Sequence, residues 1–255
     1  MKNVLLSLLG RLGLLRPAYR GYEALRSLTP SDKLLRGEDG LPLPPARLRT
    51  RVAGTPDPAW FLEGGRLAAE SIRGALPVPL ESLDGVLDFG CGCGRVVRQW
   101  RGLEGVHGSD YNSELVAWCR ANLPGRFEVN AVEPPLPFED GSFDLVYSLS
   151  VFTHLPEPTQ EAWLEELHRV SRRFVLLSAH GDAYRERLTP AELESYNAGE
   201  VVVRWGGVAG TNLCTTFHPP GSVARLAGER FEVVLFAPEG AKGNPQQDLY
   251  LLERR

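Results

Sequence analysis

With 255 residues, 43% hydrophobic and 24% charged, the chain is long enough to bury one sizeable α/β core, with or without insertions. A formal net charge of -4 argues against a nucleic-acid-binding surface, so no nucleic-acid partner is expected. Four cysteines, two of them one residue apart in a glycine-rich stretch, make neither a secreted disulfide framework nor a zinc ligand set; they imply no metal and a reducing, cytoplasmic compartment.

Residues 1–28 are rich in leucine and carry Lys2, Arg11, Arg16, Arg20 and Arg26 against Glu23. Val4, Leu5, Leu8, Leu12, Leu15 and Tyr19 recur at helical spacing, which predicts an amphipathic helix. Arg11 and the glycines break the apolar run early and no small-residue cleavage site follows, against export or membrane spanning. Docking on the main domain is favoured over contact with a membrane surface. Closure over a substrate is a further role that Tyr19 and Tyr22 could serve. Residues 31–58, dense in proline and glycine, read as a linker or lid, so 1–55 form a helical extension and 56–255 the main domain.

Asp57-Pro58 supplies an N-cap and a first-turn proline, and Trp60, Phe61, Leu67, Ala68, Ile72 and Leu76 predict one apolar helix face. Val86-Leu87-Asp88-Phe89 is a short apolar strand ending in an acid, followed by glycines at 90, 92 and 94. Glycine there allows positive φ and lets a ligand approach backbone N–H groups. A helix over 95–101, a strand near 105–108 ending at Asp110, a helix over 114–122 capped by Asn112 or Ser113, and a strand at 127–130 complete a βαβαβ pattern. The apolar run 143–148 predicts a central strand. An amphipathic helix over 159–171 and a strand over 174–178 follow. Residues 181–219 are longer than a connection needs and read as an insertion with strands near 201–205 and 211–217. A short helix after Ser222 and a hairpin of 231–236 with 248–252 close the sheet edge.

Asp88-Phe89-Gly90-Cys91-Gly92-Cys93-Gly94, the acid Asp110 and the segment 143–155 together resemble the class I S-adenosylmethionine-dependent methyltransferases, in their small-molecule, bacterial form. The resemblance covers roughly 86–178 and, more loosely, the final hairpin. It implies a Rossmann-like, seven-stranded, mostly parallel sheet with an antiparallel last strand and helices on both faces, and in that sheet the insertion read above falls between strands 5 and 6. It also implies S-adenosyl-L-methionine as cofactor, lying across the carboxyl ends of the strands.

The cofactor presents an ammonium and a carboxylate, then ribose hydroxyls, then adenine. Asp88 with the Gly90, Cys91 and Gly92 backbone suits the first, Asp110 the hydroxyls, and Tyr111 the adenine face. Asn130 and Ala131 fall where the family contacts the adenine edge, with Asn130 in place of its common aspartate, and Ser148 joins this set. The turn at 169–174 lacks the family's Pro-Gly-Gly.

Methyl transfer from a sulfonium is an in-line displacement that rests on positioning, and a hydroxyl acceptor also needs a base. His154, His180 and His218 are the candidates, each weighed against a capping or packing role. His107 and His168 read as structural, and His180 with Asp182 lacks a third metal ligand. The expected reaction is methylation of a small-molecule hydroxyl, on a sugar or secondary metabolite. A nicotinamide-dependent oxidoreductase is the rival, although the third glycine comes one residue early for it. A non-catalytic, membrane-peripheral cofactor-binding protein is the third reading, and oligomeric state is left open.

Overall fold

The computed structural model describes residues 35–244 and 246–255, together with positions 10, 13–15, 17, 18, 21 and 25. The helix expected over 1–28, with Tyr19 and Tyr22, lies largely outside the described residues. Leu15 is described: it is buried against Val208 and Cys214 of the 181–219 region.

Seven strands form one sheet: β1 (Val86–Phe89), β2 (Val106–Asp110), β3 (Arg126–Val129), β4 (Phe143–Ser148), β5 (Ser171–Ala179), β8 (Phe231–Ala237) and β9 (Asp248–Arg254). Their order across the sheet is β3-β2-β1-β4-β5-β9-β8. The first five are parallel, and β9 runs antiparallel between β5 and β8. The expected sheet is therefore the observed one. The central position of β4 follows from its composition, since a strand flanked on both sides and covered on both faces must be apolar throughout.

The period-two alternation sorts the strands onto two cores. Val86, Leu145, Tyr147 and Leu176 face one cluster with Ile72, Trp100 and Val116. Leu87, Val146, Val175 and Leu177 face the other, with Trp163, Leu164 and Leu167. The covering helices are α2 (Pro58–Ala75) and α3 (Ser113–Asn122) on the first face, and α4 (Glu157–Val170) and α6 (Ser222–Ala227) on the second. Asp57 caps α2 by accepting from Ala59 N, and Asn112 caps α3 by accepting from Glu114 N and Leu115 N.

Three local expectations give way to tertiary context. No α-helix spans 95–101: turns lead into a 3-10 helix at Val97–Trp100, where β-branched Val96 and Val97 weaken helix propensity and Gly102 turns at φ 85°. Trp60 is 49% exposed, because α2 turns Phe61, Gly64, Gly65, Ala68 and Ile72 inward instead. The stretch read as linker holds a helix, α1 (Ala46–Ala53), whose Leu48 packs with Phe61, Cys93 and Leu115. Asp39 is held to the domain by buried Arg98, which donates from Nε and Nη2 to its carboxylate at 2.6 and 2.8 Å.

The 181–219 region contains α5 (Pro190–Asn197), begun by a Thr189/Glu192 capping box, and a separate antiparallel pair, β6 (Val202–Arg204) with β7 (Thr215–Phe217). Both strands are shorter than expected. His218 N donates to His180 O at 2.8 Å, tying the end of this region to the end of β5.

Gly65 is where α2 meets the glycine loop. A Cβ there would sit 2.2 Å from the Arg95 carbonyl oxygen and 3.0 Å from its Cγ. Helix propensity favours alanine by up to about 1 kcal/mol, but an immovable backbone contact costs about 1–3 kcal/mol or more. Sterics win: Gly65→Ala is expected to lower stability by roughly 2 kcal/mol in urea unfolding. A midpoint equal to or above wild type would refute this packing account.

Candidate active site

A cavity of about 380 Å³ opens at the carboxyl ends of β1, β2 and β4. Its floor is the loop after β1. Gly90, Gly92 and Gly94 all have positive φ (81°, 55° and 75°), and a Cβ on Gly90 would lie 2.3 Å from Val151 Cγ2. Only glycine serves here, on conformational and steric grounds together.

Asp88, at the end of β1, is buried on the cavity wall. Burial pushes its carboxyl up to about 7, against a hydrogen bond with Tyr147 that lowers it. Tyr147 Oη accepts from Trp100 Nε1 at 2.9 Å, which leaves its own O–H for Asp88. Asp110, at the end of β2, accepts from Gly92 N through Oδ2 and from Asn112 N through Oδ1, both at 2.9 Å. Burial raises its pKa. Each oxygen keeps a further lone pair for a ligand hydroxyl.

Asn130 donates Nδ2–H to Ala131 O at 2.7 Å, and its buried Oδ1 has no hydrogen-bond partner among the described residues. Both residues line the cavity, as does half-exposed Tyr111, whose O–H donates to Gly210 O at 2.9 Å. Cys91 also lines it. Its hydrogen bond with Cys119 and its burial keep the thiol well above the usual range, so it stays protonated.

The three candidate histidines separate. His154, past the end of β4, lines the cavity. Its Nδ1 lies 2.6 Å from Cys214 O, a carbonyl that can only accept, so Nδ1 carries the proton and Nε2 the free lone pair. Burial lowers its pKa. His180 and His218 are not wall residues. His180 pairs with Thr216 O at 3.1 Å and stacks on Tyr184 with ring centroids 4.0 Å apart; burial, with the neighbouring histidines, lowers it to about 3. His218 pairs through Nε2 with Gln160 Oε1 at 3.1 Å, and burial lowers it to about 4. Ser148 is fully buried behind the wall that Leu149 and Ser150 form.

Several wall residues have no signal in the sequence. Arg51 of α1 and Asn212 come together when Asn212 Nδ2 donates to Arg51 O at 2.7 Å. Ser150, at φ 61°, accepts on Oγ from Gln247 Nε2 at 2.9 Å. Arg95 and Asn244 meet from opposite ends of the domain. A lone arginine directly after a glycine loop was the one available hint. No group of three or more His, Cys, Asp or Glu among the described residues is placed to hold a metal ion.

Residues 86–173 match the family of the methyltransferase domain. The chain carries a methyltransferase domain. Solved structures share its fold. An S-adenosylmethionine-dependent methyltransferase from Methanosarcina mazei aligns at 20% identity and TM-score 0.54, over 72% of this chain and 96% of that one. Magnesium protoporphyrin IX methyltransferase from Synechocystis PCC 6803, with S-adenosylhomocysteine bound, aligns at 14% identity and TM-score 0.54 over the whole of both chains. Geranyl diphosphate C-methyltransferase from Streptomyces coelicolor A3(2) aligns at 14% identity and TM-score 0.50, over 73% of this chain and 76% of that one.

The cofactor of this methyltransferase is S-adenosylmethionine, and the cavity fits it. The orphaned Asn130 Oδ1 suits an amino group, the spare lone pairs of Asp110 suit vicinal hydroxyls, and the glycine cradle leaves room that a Cβ would fill. Bound there, the cofactor supplies an electrophilic methyl group on a sulfonium. No helix among the described residues is long and apolar enough to cross a membrane.

Proposed function

We propose that the enzyme methylates a hydroxyl of a small molecule, such as a sugar or secondary metabolite, with His154 as general base. One observation carries this reading: His154 lines the cavity with Nδ1 committed to Cys214 O, which leaves Nε2 as the ring's proton acceptor. Burial favours the neutral ring that a base requires. His180 and His218, packed behind this wall, take positioning roles in the same reading.

Asp88 with the Gly90, Cys91 and Gly92 backbone holds the amino-acid end, Asp110 the ribose, Tyr111 the adenine face, and Asn130 and Ala131 the adenine edge; Ser148 backs the wall from the core. The described part of residues 1–55 and the 181–219 insertion wall the acceptor side. The Tyr111–Gly210 and Asn212–Arg51 hydrogen bonds and the burial of Leu15 support that assignment. Leu155, Trp163 and Leu213 add apolar surface. Porphyrin and geranyl diphosphate, named for two structural neighbours, support a small-molecule acceptor class. Four free, buried cysteines support a cytoplasmic setting.

Incubation with methyl-labelled S-adenosylmethionine and a panel of hydroxylated acceptors, each paired with its amine counterpart, tests the reaction. Label in a methyl ether is the expected product by mass spectrometry. Label confined to nitrogen or carbon would sink the hydroxyl reading.

A further inference from the structure

The connection between β8 and β9 brings a residue from near the end of the chain to the cofactor cavity. It is pressed onto α2: a Cβ on Gly243 would lie 2.0 Å from Gly64 O and 2.6 Å from Ala68 Cβ. It is also clamped by Arg95, whose Nη1 donates to Gly243 O at 2.9 Å and Nη2 to Asn244 Oδ1 at 2.7 Å. A guanidinium only donates, so it fixes the Asn244 amide with its oxygen toward Arg95 and its NH2 on the other side. Asn244 is a wall residue of the cavity and 7% exposed, and its Nδ2 has no partner among the described residues. A buried donor held in place by the fold and left unpaired calls for an acceptor from a ligand.

We propose that Asn244 Nδ2 donates to the carboxylate of the cofactor's amino-acid end, making the β8–β9 connection part of the cofactor site. That carboxylate is the only anionic group on the cofactor. The buried Arg95 guanidinium, itself a wall residue, makes this end of the cavity favourable for an anion. Asp88, the acid assigned to the ammonium of the same end, lines the same cavity as Arg95 and Asn244.

The inference rests on the cofactor assignment, and calorimetry with two ligands separates the two. S-adenosylhomocysteine carries the carboxylate; 5′-methylthioadenosine has the same nucleoside and thioether without it. Asn244→Asp keeps an oxygen for Arg95 but replaces the donor with an acceptor. It is expected to weaken S-adenosylhomocysteine by roughly tenfold to a hundredfold while 5′-methylthioadenosine stays within about twofold. Asn244→Ala gives the same selective loss and serves if the aspartate variant does not fold. An unchanged S-adenosylhomocysteine affinity, or equal weakening of both ligands, would overturn the proposal. Wild-type protein that binds neither ligand would overturn the cofactor assignment and this inference with it.

Discussion

His154→Ala is expected to lower kcat by roughly 10²–10⁴-fold while the affinity for S-adenosylhomocysteine stays within about threefold. The split follows from the geometry. The imidazole of this wall residue is oriented by Cys214 O, which leaves Nε2 as its proton acceptor, and none of its hydrogen bonds touches the glycine loop or Asp110. The base must be neutral to accept a proton. Burial is the largest influence on its pKa and lowers it, while the bond to Cys214 opposes this in part, so the ring is neutral above a pKa below 6.5. The wild-type rate should therefore rise with pH on the acid side of that pKa and level off above it, and the rise should vanish in the variant. A turnover that survives the substitution would remove His154 from the chemistry, whatever the acceptor.

Asp110→Ala is expected to weaken S-adenosylhomocysteine by roughly a hundredfold or more in calorimetric titration. A hydrogen bond to a charged group contributes about 1.5–3 kcal/mol, so losing two hydroxyl contacts at the low end already gives about two orders of magnitude. The same carboxylate accepts from Gly92 N and Asn112 N, so its removal also frees the cradle and the cap of α3. Asp110→Asn should fall between wild type and alanine, because its one oxygen can still accept while its amide faces a backbone N–H. Affinity within threefold of wild type in the alanine variant would show that Asp110 is only a loop cap.

Much of this domain is legible locally. Alternation within β1 and β4, the acid ending β1, the glycines at 90, 92 and 94, and Asn112 before α3 each have a short-range physical meaning, and together they announce strand, cradle and helix start. The same reading missed α1, which follows a proline-rich stretch, and over-extended the turn after the glycine loop into a helix. It also placed Trp60 inward: one helical position decides between Trp60 and Phe61, and the close approach of Gly64 and Gly65 to Arg95 decides it.

The candidate site divides along the same line. Asp88, Asp110, Asn130 and His154 stand at or just past strand ends, so a parallel sheet delivers them to one edge once its strand order is set. His180 also stands directly after a strand, yet Thr216 and Tyr184 enclose it behind that edge. The sequence by itself thus determined the sheet, the glycine cradle and the acids around it, because those depend on φ preferences, alternation and neighbours a few residues apart. Which histidine reaches the cavity, and that Arg95 meets Asn244 across 149 positions, only the tertiary structure decided, because such contacts arise from packing between elements and leave no periodic trace in the chain.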